Sequence, residues 1–383
     1  MVFRKRSQSK INSIADMKSS ATKIIGTVLI ATLPAVSTLL AADAVSPASV
    51  PLKMAVETKG PVRAPEPLKE NVATSGKGFW KFIAARDLVQ VPEEAKPFIK
   101  GAHGTVIFDA DRDTIYWGLE KVGWVGFSNH LTKSWVVQGD AAFKAGGLHG
   151  ADILKRRGKL PVIAVADNVR GEVYITDTSF QHAEHLDWPA GGPYKAKGEY
   201  HPTDVAFVGN GKLFVTDGYG KAFFMPFTTE PLKFSGEFFG GKDMSKTPHG
   251  ITYNPSDKTL LISARPEGLM KKWSIAKKEF TAVDALPAGA VLCDIDLWNE
   301  YALAPCLDGP DRTAGPIYIV NNKTKSVVAT IRPKEDLGFT DAQHIHDACW
   351  YFVKNGRRTD VYIIFTNWNP GGIGAMKLVN VAD

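Results

Sequence analysis

Histidine opens the same kind of unit at several places along this chain, at His103-Gly, His149-Gly, His201-Pro, His249-Gly and His346-Asp. The successive gaps are 46, 52, 48 and 97 residues, so the last gap spans two units, and a unit near Asp294 fills it. A period of this length in β-rich sequence is typical of a β-propeller, in which each blade is a four-stranded sheet. The sequence therefore predicts an all-β, six-bladed β-propeller whose functional site lies where the six inner strands converge.

The clearest unit is HPTDVAFVGNGKLFVTDGYG at 201–220, which reads as a first strand, an Asn210-Gly211 turn and a second strand ending at Asp217. Two later units repeat this layout. In each, histidine opens the first strand and a short polar cluster closes the second. Because antiparallel pairing brings those two points together, both groups are predicted at the same mouth of the propeller.

The chain divides into three segments. Residues 1–44 combine a basic start, an apolar stretch over 24–40 and the cleavage pattern Ala42-Asp43-Ala44, which predicts a secretory signal peptide. Residues 45–76 are rich in Pro, Ala and Lys without periodicity and read as a flexible linker. Residues 77–383 form the propeller. We therefore expect an exported protein, periplasmic or secreted, without stable membrane insertion after signal removal.

The formal net charge of +6 is concentrated at the N terminus, because residues 1–44 carry six basic and two acidic side chains. The remainder therefore carries only +2, and its one basic run is Lys155-Arg156-Arg157, which is typical of a solvated loop. These features argue against nucleic acid as a partner. A closed propeller leaves only short edges to pair, so we expect a monomer that binds a small-molecule or peptide-derived substrate.

Export would make the three cysteines potential disulfide partners. Cys293 and Cys306 flank a two-strand segment with a turn at Asn299-Glu300, and the start of one strand lies beside the end of its hairpin partner. This predicts a Cys293–Cys306 disulfide. Cys349 then remains as a buried thiol on an inner strand.

The histidines also suggest a metal site. His149, His249 and His346 open strands in alternate blades, which a six-fold ring places roughly 120° apart around the axis. Three imidazoles that converge in this way form a metal site with one position open for water or substrate. The alternative is that a residue recurring in five of six units is a structural signature that caps backbone or packs against the next blade.

Other polar side chains are predicted at the same mouth. The closing clusters of the second strands contribute Tyr219, Arg265, Asn367 and Asp167. A phenol and a guanidinium beside an open metal suggest a base and an anion anchor. No role is assigned to His103 or His201.

The runs PTDVAFVGNGKLFVTDGYG, PHGITYNPSDKTLLISAR and HIHDACW resemble the lyase domain of peptidylglycine α-amidating enzymes, a six-bladed propeller of NHL-like repeats. The resemblance covers roughly residues 100–383. It implies that His149, His249 and His346 hold a catalytic zinc, that Tyr219 is the catalytic tyrosine, and that Arg265 binds substrate.

The resemblance also implies a structural calcium held by Asp347 and by backbone carbonyls near Val106 and Ala151. The implied reaction is cleavage of the C–N bond of an α-hydroxyglycine-type carbinolamide, in which Tyr219 takes the hydroxyl proton and Arg265 holds the carboxylate. This chain departs from the family pattern in the first blade, where TIYWGLEK lacks a second substrate-binding arginine.

Two other classes of function stay open. One is a lactonase or other hydrolase on a related calcium-dependent propeller, which would need carboxylates and amides on the inner strands. The other is a non-enzymatic exported propeller that binds a peptide, glycan or protein across its mouth, with aromatic residues that could serve it at Trp117, Trp124, Trp188, Trp350 and Trp368. Metal content separates the three: zinc, calcium alone, or none.

Overall fold

The computed structural model describes residues 72–379 except 210, 242–243 and 357. The predicted signal peptide and most of the predicted linker lie outside these residues. The predicted boundary at residue 77 is two residues late, because the first strand begins at Ser75. Ser75 is buried, pairs with Phe82, and donates a 2.7 Å hydrogen bond from Oγ to Asp336. Tertiary contacts that sequence periodicity does not show therefore place Ser75 inside the propeller.

The strands follow one another with short connections. In chain order they are β1 Ser75–Lys77, β2 Trp80–Ala84, β3 Thr105–Asp109, β4 Thr114–Leu119, β5 Gly123–Ser128, β6 Lys133–Val137, β7 Leu148–Leu154, β8 Val162–Asp167, β9 Glu172–Asp177, β10 Glu184–Leu186, β11 Asp204–Phe207, β12 Lys212–Thr216, β13 Phe223–Thr229, β14 Leu232–Phe234, β15 Phe239–Gly240, β16 Pro248–Asn254, β17 Thr259–Ala264, β18 Leu269–Ser274, β19 Glu279–Ala285, β20 Asp296–Trp298, β21 Tyr301–Pro305, β22 Ile317–Asn321, β23 Ser326–Ile331, β24 Ile345–Asn355, β25 Arg358–Asn367 and β26 Gly372–Val379.

Short 3-10 helices occur at Lys96–Phe98, Ala141–Lys144, Lys197–Glu199 and Pro310–Arg312. Within the described part of the chain, no helix has the length and apolar character needed to cross a membrane.

The strands form six antiparallel sheets, one for each blade. The first blade is β3–β6, the second β7–β10, the third β11–β15, the fourth β16–β19 and the fifth β20–β23. The sixth combines β24–β26 with β1 and β2. The first strand of each blade contacts the first strand of the next, so β3, β7, β11, β16, β20 and β24 surround the axis. The prediction of an all-β, six-bladed propeller is confirmed.

The ring is closed without a covalent link by pairing of β2 with β26, from Lys81 opposite Val379 to Ala84 opposite Met376. Trp80 and Phe82 of this segment are buried in a core that includes residues of β22 to β26. The beginning and the end of the described chain therefore share one hydrophobic core.

Strands in the middle of a blade are apolar because neighbouring blades pack against both of their faces. Strands such as β8 and β17 are almost entirely buried, because each has a neighbouring blade on both faces. Their sequences, VIAVAD and TLLISA, accordingly read as continuous apolar runs rather than alternating ones. The turn predicted at Asn299-Glu300 is present, joining β20 to β21.

Buried aspartates join the inner strands to one another. Four of them accept a hydrogen bond from the backbone N–H of the following blade: Asp152 from Phe207 (2.7 Å), Asp204 from Ile251 (2.7 Å), Asp296 from Trp350 (2.8 Å) and Asp347 from Val106 (2.7 Å). An inner strand has a sheet neighbour on one side only, so its other edge presents backbone groups that need partners. The carboxylates supply part of that pairing.

The predicted Cys293–Cys306 disulfide is wrong, because both residues are buried free thiols. Cys306 stands opposite Leu292, while the N–H of Cys293 donates to the carbonyl of Pro305. This pairing is offset by one residue from the expected one, and a one-residue offset turns a side chain to the other face of the sheet. Cys349 is a buried free thiol on the inner strand β24, as predicted.

Phe82→Ala is expected to destabilise the protein by about 3–5 kcal/mol, because it leaves a cavity in the core that closes the ring. The matched control is Phe79→Ala in the same segment, where the side chain is 57% exposed and the cost should stay within about 0.5 kcal/mol. Urea unfolding followed by tryptophan fluorescence measures both. Equal costs would show that this segment does not hold the ring closed.

Asp296→Ala should destabilise the protein less as the pH rises from about 4 to about 8. Burial raises the pKa of Asp296 to about 7, so the stability it contributes is present at low pH and is lost as the carboxyl ionises. At about 1.4 kcal/mol per pKa unit, the change could reach about 4 kcal/mol. Urea unfolding in EDTA at several pH values measures it.

The control for this pH dependence is Asp257→Ala. Burial acts to raise the pKa of Asp257, but hydrogen bonds from Lys272 and Thr259 outweigh it and lower the pKa. Its contribution is therefore lost only at acid pH, and the effect of Asp257→Ala should be flat between about pH 5 and 8. A flat profile for Asp296→Ala as well would contradict the assignment.

Candidate metal centre

Three histidines occupy the same place in alternate blades. His149 lies in β7, His249 in β16 and His346 in β24, each as the second residue of an inner strand. In all three strands the pairing shifts register around the histidine. Such a bulge redirects a side chain from the face of the sheet. Sequence reasoning chose these three, and the structure brings them together.

The three imidazoles converge on the propeller axis. Their ring centroids are 4.6 to 5.2 Å apart, and Nε2 of His346 lies 3.2 Å from Nε2 of His149. One ligand nitrogen from each of His149, His249 and His346 lies within 4.8 Å of the others. In the described chain no other such group of His, Cys, Asp or Glu side chains is found.

The glycine after the first two histidines has a steric cause. A Cβ atom on Gly150 would lie 2.2 Å from Oδ1 of Asp204, and one on Gly250 would lie 2.6 Å from Oδ1 of Asp294. Contacts this short are not tolerated, so the next inner strand leaves room only for glycine. At His149-Gly150 and His249-Gly250, the glycine thus marks a place where the histidine faces the axis and the neighbouring strand approaches closely.

Backbone carbonyls of the next blade orient two of the rings. Nδ1 of His149 donates to the carbonyl of Thr203 at 2.6 Å, and Nδ1 of His249 to that of Cys293 at 2.9 Å. This fixes the tautomer with the Nε2 lone pair free to bind a ligand. The backbone of Gly104, in the blade next to His346, acts to raise the pKa of that ring in the same way. Nδ1 of His346 is nevertheless too poorly aligned to form a regular hydrogen bond.

The electrostatic setting favours neutral rings. Burial, followed by the charges of nearby histidines and of Arg265, lowers the pKa of all three imidazoles well below the usual value. Neutral imidazole is the metal-binding form, so the site is poised to bind metal near neutral pH. Next to the rings is a cavity of ≈10 Å³, close to the volume one water-sized species needs.

The residues fit a metal ion. Three neutral imidazoles at these separations, with a fourth side open, correspond to the three-histidine ligand set of catalytic zinc sites. The carbonyls behind His149 and His249 are the outer-shell partners that such ligands ordinarily have.

Tyr219 faces the same point. Its hydroxyl lies 3.1 Å from Nε2 of His149 and 3.0 Å from Nε2 of His249, and Nη1 of Arg265 donates to it at 2.9 Å. Burial raises the pKa of Tyr219, whereas Arg265 acts to lower it. The structure therefore places the two residues predicted beside the metal within hydrogen-bond reach of each other.

The buried carboxylate of Asp217 fixes the turn that carries Tyr219. It accepts hydrogen bonds from the N–H groups of His201 (2.7 Å) and Lys221 (2.6 Å) and from the hydroxyl of Tyr194. His201 itself is directed elsewhere, with Nδ1 to the carbonyl of Asn168 at 2.8 Å. It precedes its strand instead of lying in it, so it does not join the other histidines.

The remaining predicted mouth residues have other surroundings. Asp167 accepts the backbone N–H groups of Val169 (3.1 Å) and Arg170 (2.9 Å) in its own turn and that of Gly147 (3.0 Å) before β7, which is a structural arrangement. Asn367 ends β25 opposite Ile345 and is buried. Trp117, Trp124 and Trp350 are buried within the blades, and Trp188 packs against the core shared by the second and third blades, whereas Trp368 contacts histidines at the mouth.

The calcium ligands implied by the resemblance are only partly together. Asp347 lies beside Val106, but it accepts the N–H of Val106 and the hydroxyl of Thr105. Val106 and Ala151 line a separate cavity of ≈150 Å³ on the axis, and Asp347 is not among its lining residues. A calcium ion held by carbonyl groups there stays a prediction.

Sequence reasoning assigned no role to Asp204 or Asp294, and it named Asp347 only as an implied calcium ligand. Asp204, Asp294 and Asp347 line the cavity beneath the rings, and burial raises the pKa of each. The sequence held a signal for Asp204, because an aspartate follows the histidine by three residues in two units, at His149 and at His201. The lactonase alternative required inner-strand carboxylates, and these residues supply carboxylates.

Comparison with known proteins shows similarity of fold. Neither a protein-family model nor a curated protein matches the sequence. An X-ray structure described as a candidate gluconolactonase matches with a TM-score of 0.53 and 12% identity, covering 79% of this chain and all of the other. Hydrazine synthase from Kuenenia stuttgartiensis matches with a TM-score of 0.39 and 9% identity, over 54% of this chain and 53% of the other, and carries no argument. The specific likeness to amidating lyases receives no support from these comparisons.

Purified chain is expected to hold about one divalent metal ion, because one ligand nitrogen from each of the three histidines converges on the same point and burial keeps the rings neutral. His149→Ala and His249→Ala should each lose the metal, whereas His201→Ala, which removes a histidine of the same sequence repeat that is directed away from the axis, should keep it. Elemental analysis of tag-free protein measures all three, with circular dichroism to check folding. Equal loss in His201→Ala would mean that the histidines act as a structural signature of the repeat.

Proposed function

We propose that this chain is a zinc-dependent enzyme that acts on a small polar substrate at the mouth of the propeller. The observation that carries the proposal is the hydrogen bonding of the Tyr219 hydroxyl to Nε2 of His149 and His249, with Arg265 as third partner. Ligand sets made only of imidazoles bind zinc and a few other transition metals. The open fourth side is typical of a catalytic zinc site, because structural zinc sites have four protein ligands.

When bound, the zinc would supply Lewis-acid chemistry, lowering the pKa of a hydroxyl group and polarising a carbonyl. Tyr219 is the candidate proton acceptor, since its oxygen is within 3.1 Å of two of the ligand atoms. The guanidinium of Arg265 favours the phenolate form at the distance of one hydrogen bond, 2.9 Å. Burial opposes this by raising the pKa of Tyr219, so the proposed base would need the positive charges of Arg265 and of a bound metal to hold it as the phenolate.

Arg265 has further donors for the substrate. A guanidinium carries five N–H groups in a planar fork, and one of them is directed at Tyr219. The guanidinium also hydrogen-bonds the side chain of Cys293, and its other N–H groups can bind a carboxylate or another anionic oxygen. The proposed site thus anchors the substrate and removes a proton with two adjacent side chains.

The first candidate reaction is C–N bond cleavage of an α-hydroxyglycine-type carbinolamide. Tyr219 accepts the hydroxyl proton, the oxygen electrons form a C=O bond as the C–N bond breaks, and the leaving nitrogen takes up a proton. The products are an amide and glyoxylate, so the step is balanced without an oxidant or reductant. This reaction rests on the resemblance of the motifs around Tyr219, Arg265 and the three histidines.

A second candidate is hydrolysis of a lactone or ester, in which water replaces the substrate hydroxyl as the proton donor to Tyr219. The inner-strand carboxylates Asp204, Asp294 and Asp347 favour considering it, because the calcium-dependent hydrolases of related propellers need such groups. The similarity in fold to a candidate gluconolactonase is compatible with it. We also propose, from the N-terminal sequence, that the protein is exported and, because a closed propeller leaves only short edges to pair, that it acts as a monomer.

Tyr219→Phe should lower kcat/KM by about 10²–10⁴, the usual contribution of a positioned acid or base, while leaving metal content unchanged. The substrates are α-hydroxyhippurate, with glyoxylate as the measured product, and δ-gluconolactone, with acid release as the measured product. Glyoxylate formation supports the lyase and acid release supports the hydrolase. Tyr253→Phe, a partly buried tyrosine on β16, serves as the control and should retain activity.

Unchanged turnover in Tyr219→Phe would sink the assigned role of the phenol. If the wild-type chain binds no metal and turns over neither compound, the enzyme proposal fails and a non-catalytic binding propeller takes its place.

A further inference from the structure

We propose that His103 and Glu120 form a second half of the substrate site, which selects ligands carrying a hydrogen-bond donor on the side of the centre opposite Arg265. The donor is a hydroxyl or an ammonium group. The inference deepens the proposed function and rests on it, because it concerns the same mouth of the propeller.

The first observation is the position of His103. Its ring centroid lies 5.2 Å from those of both His149 and His346. Tyr219 contacts the centre at His149 and His249 instead. His103 and Tyr219 therefore flank the three histidines at different edges.

The blades place the two halves of the mouth across from each other. In the first blade, His103 precedes β3 and Glu120 follows β4, so both lie at the same end of this antiparallel pair, whereas Arg265 follows β17 in the fourth blade. In a closed ring of six blades, the first and the fourth lie on opposite sides of the axis. A ligand bound over the histidines can therefore contact Arg265 at one end and His103 at the other.

The second observation is the hydrogen bonding of His103. Its Nδ1 bonds to Oε1 of Glu120 at 3.1 Å, and the two side chains are 24% and 26% exposed. Among the described residues, Nε2 of His103 has no hydrogen-bond partner. In the neutral ring, a donor proton on Nδ1 leaves Nε2 as an acceptor, so this side chain offers an acceptor to whatever enters the mouth.

The third observation is that the ring is held in place. His103 stacks on Trp368 with centroids 5.5 Å apart and an interplanar angle of 13°. The other neighbour of Trp368 is His344, at 5.7 Å, whose Nδ1 is bonded to the carbonyl of Leu307 (3.1 Å) and to Asp308 (3.2 Å). A second imidazole on this wall thus has its Nδ1 occupied by acceptors as well.

The mouth therefore has two chemically different walls. The wall from the third and fourth blades presents a guanidinium and a phenol hydroxyl, which suit an anionic or carbonyl oxygen. The wall from the fifth, sixth and first blades presents imidazoles whose Nδ1 protons are already bonded, which suits a donor. The substrate class that satisfies both is a small acid or acyl compound with a hydroxyl or amino group.

Three two-carbon acids that differ in one group test this: acetate has no second donor, glycolate has a hydroxyl and glycine has an ammonium. Binding to the full chain from residue 45, loaded with zinc, is followed by NMR titration. At least one of glycolate and glycine should bind about tenfold more tightly than acetate, and which of them does so identifies the donor. Arg265→Ala should weaken binding of all three.

The discriminating variant is His103→Phe, which keeps an aromatic ring on Trp368 but has no acceptor. It should bring the donor-bearing acids down to the affinity of acetate, with acetate itself unchanged. The matched control is His130→Phe, which removes another carboxylate-paired histidine of the first blade that is 60% exposed, with its Asp113 contact at 3.0 Å. This control should keep the full preference.

A second variant, Glu120→Leu, leaves His103 in place but removes the partner of Nδ1, and should reduce the preference several-fold. A preference that survives in His103→Phe, or no preference in the wild type, overturns the inference. Zinc content of the same samples reports separately on the proposed function: zinc without donor preference refutes only the second half-site, and absence of zinc refutes the metal centre.

Discussion

The close approach of six inner strands around one axis is the constraint on which the rest of this structure depends. Each of these strands is paired on its outer side only, so its inner edge must find partners among the neighbouring blades. Buried carboxylates such as Asp152 and Asp296 bond to backbone N–H groups of the next blade, and glycines such as Gly150 and Gly250 leave space for the adjacent strand. The same narrow geometry that demands these residues also brings side chains from distant parts of the sequence within reach of one another.

The candidate centre uses this geometry at three of the six positions. His149 and His249 are oriented by carbonyls of the following blade, so the contacts that join blade to blade also set the tautomers of the rings. Burial makes the charged form of these imidazoles costly, and neutral rings with inward-facing nitrogens leave an electron-rich pocket. A divalent cation would compensate that pocket, and the packing of the blades would in this way support the chemistry proposed at the mouth.

Much of this arrangement can be read from the sequence. The spacing of the histidine units predicts the number of blades, and the alternation of blades predicts that His149, His249 and His346 meet. The same spacing cannot separate these from His201, because each of the three lies at a local bulge within its inner strand, whereas His201 precedes β11, and that difference depends on tertiary contacts. The predicted disulfide between Cys293 and Cys306 is wrong because the strand pairing there is offset by one residue, which also depends on tertiary contacts. A two-residue period makes sequence arguments about sheets sensitive to a single residue.

The closure of the sixth blade has a consequence for how the protein matures. Its inner strand carries His346, while its outer strands β1 and β2 come from residues 75–84, so the sheet combines segments made early and late in synthesis. The early segment must wait unpaired until β26 emerges, and such long-range pairing is slow. The three imidazoles therefore come together only in a finished ring. Metal capture would then occur once per molecule, after translation, and would report that assembly is complete.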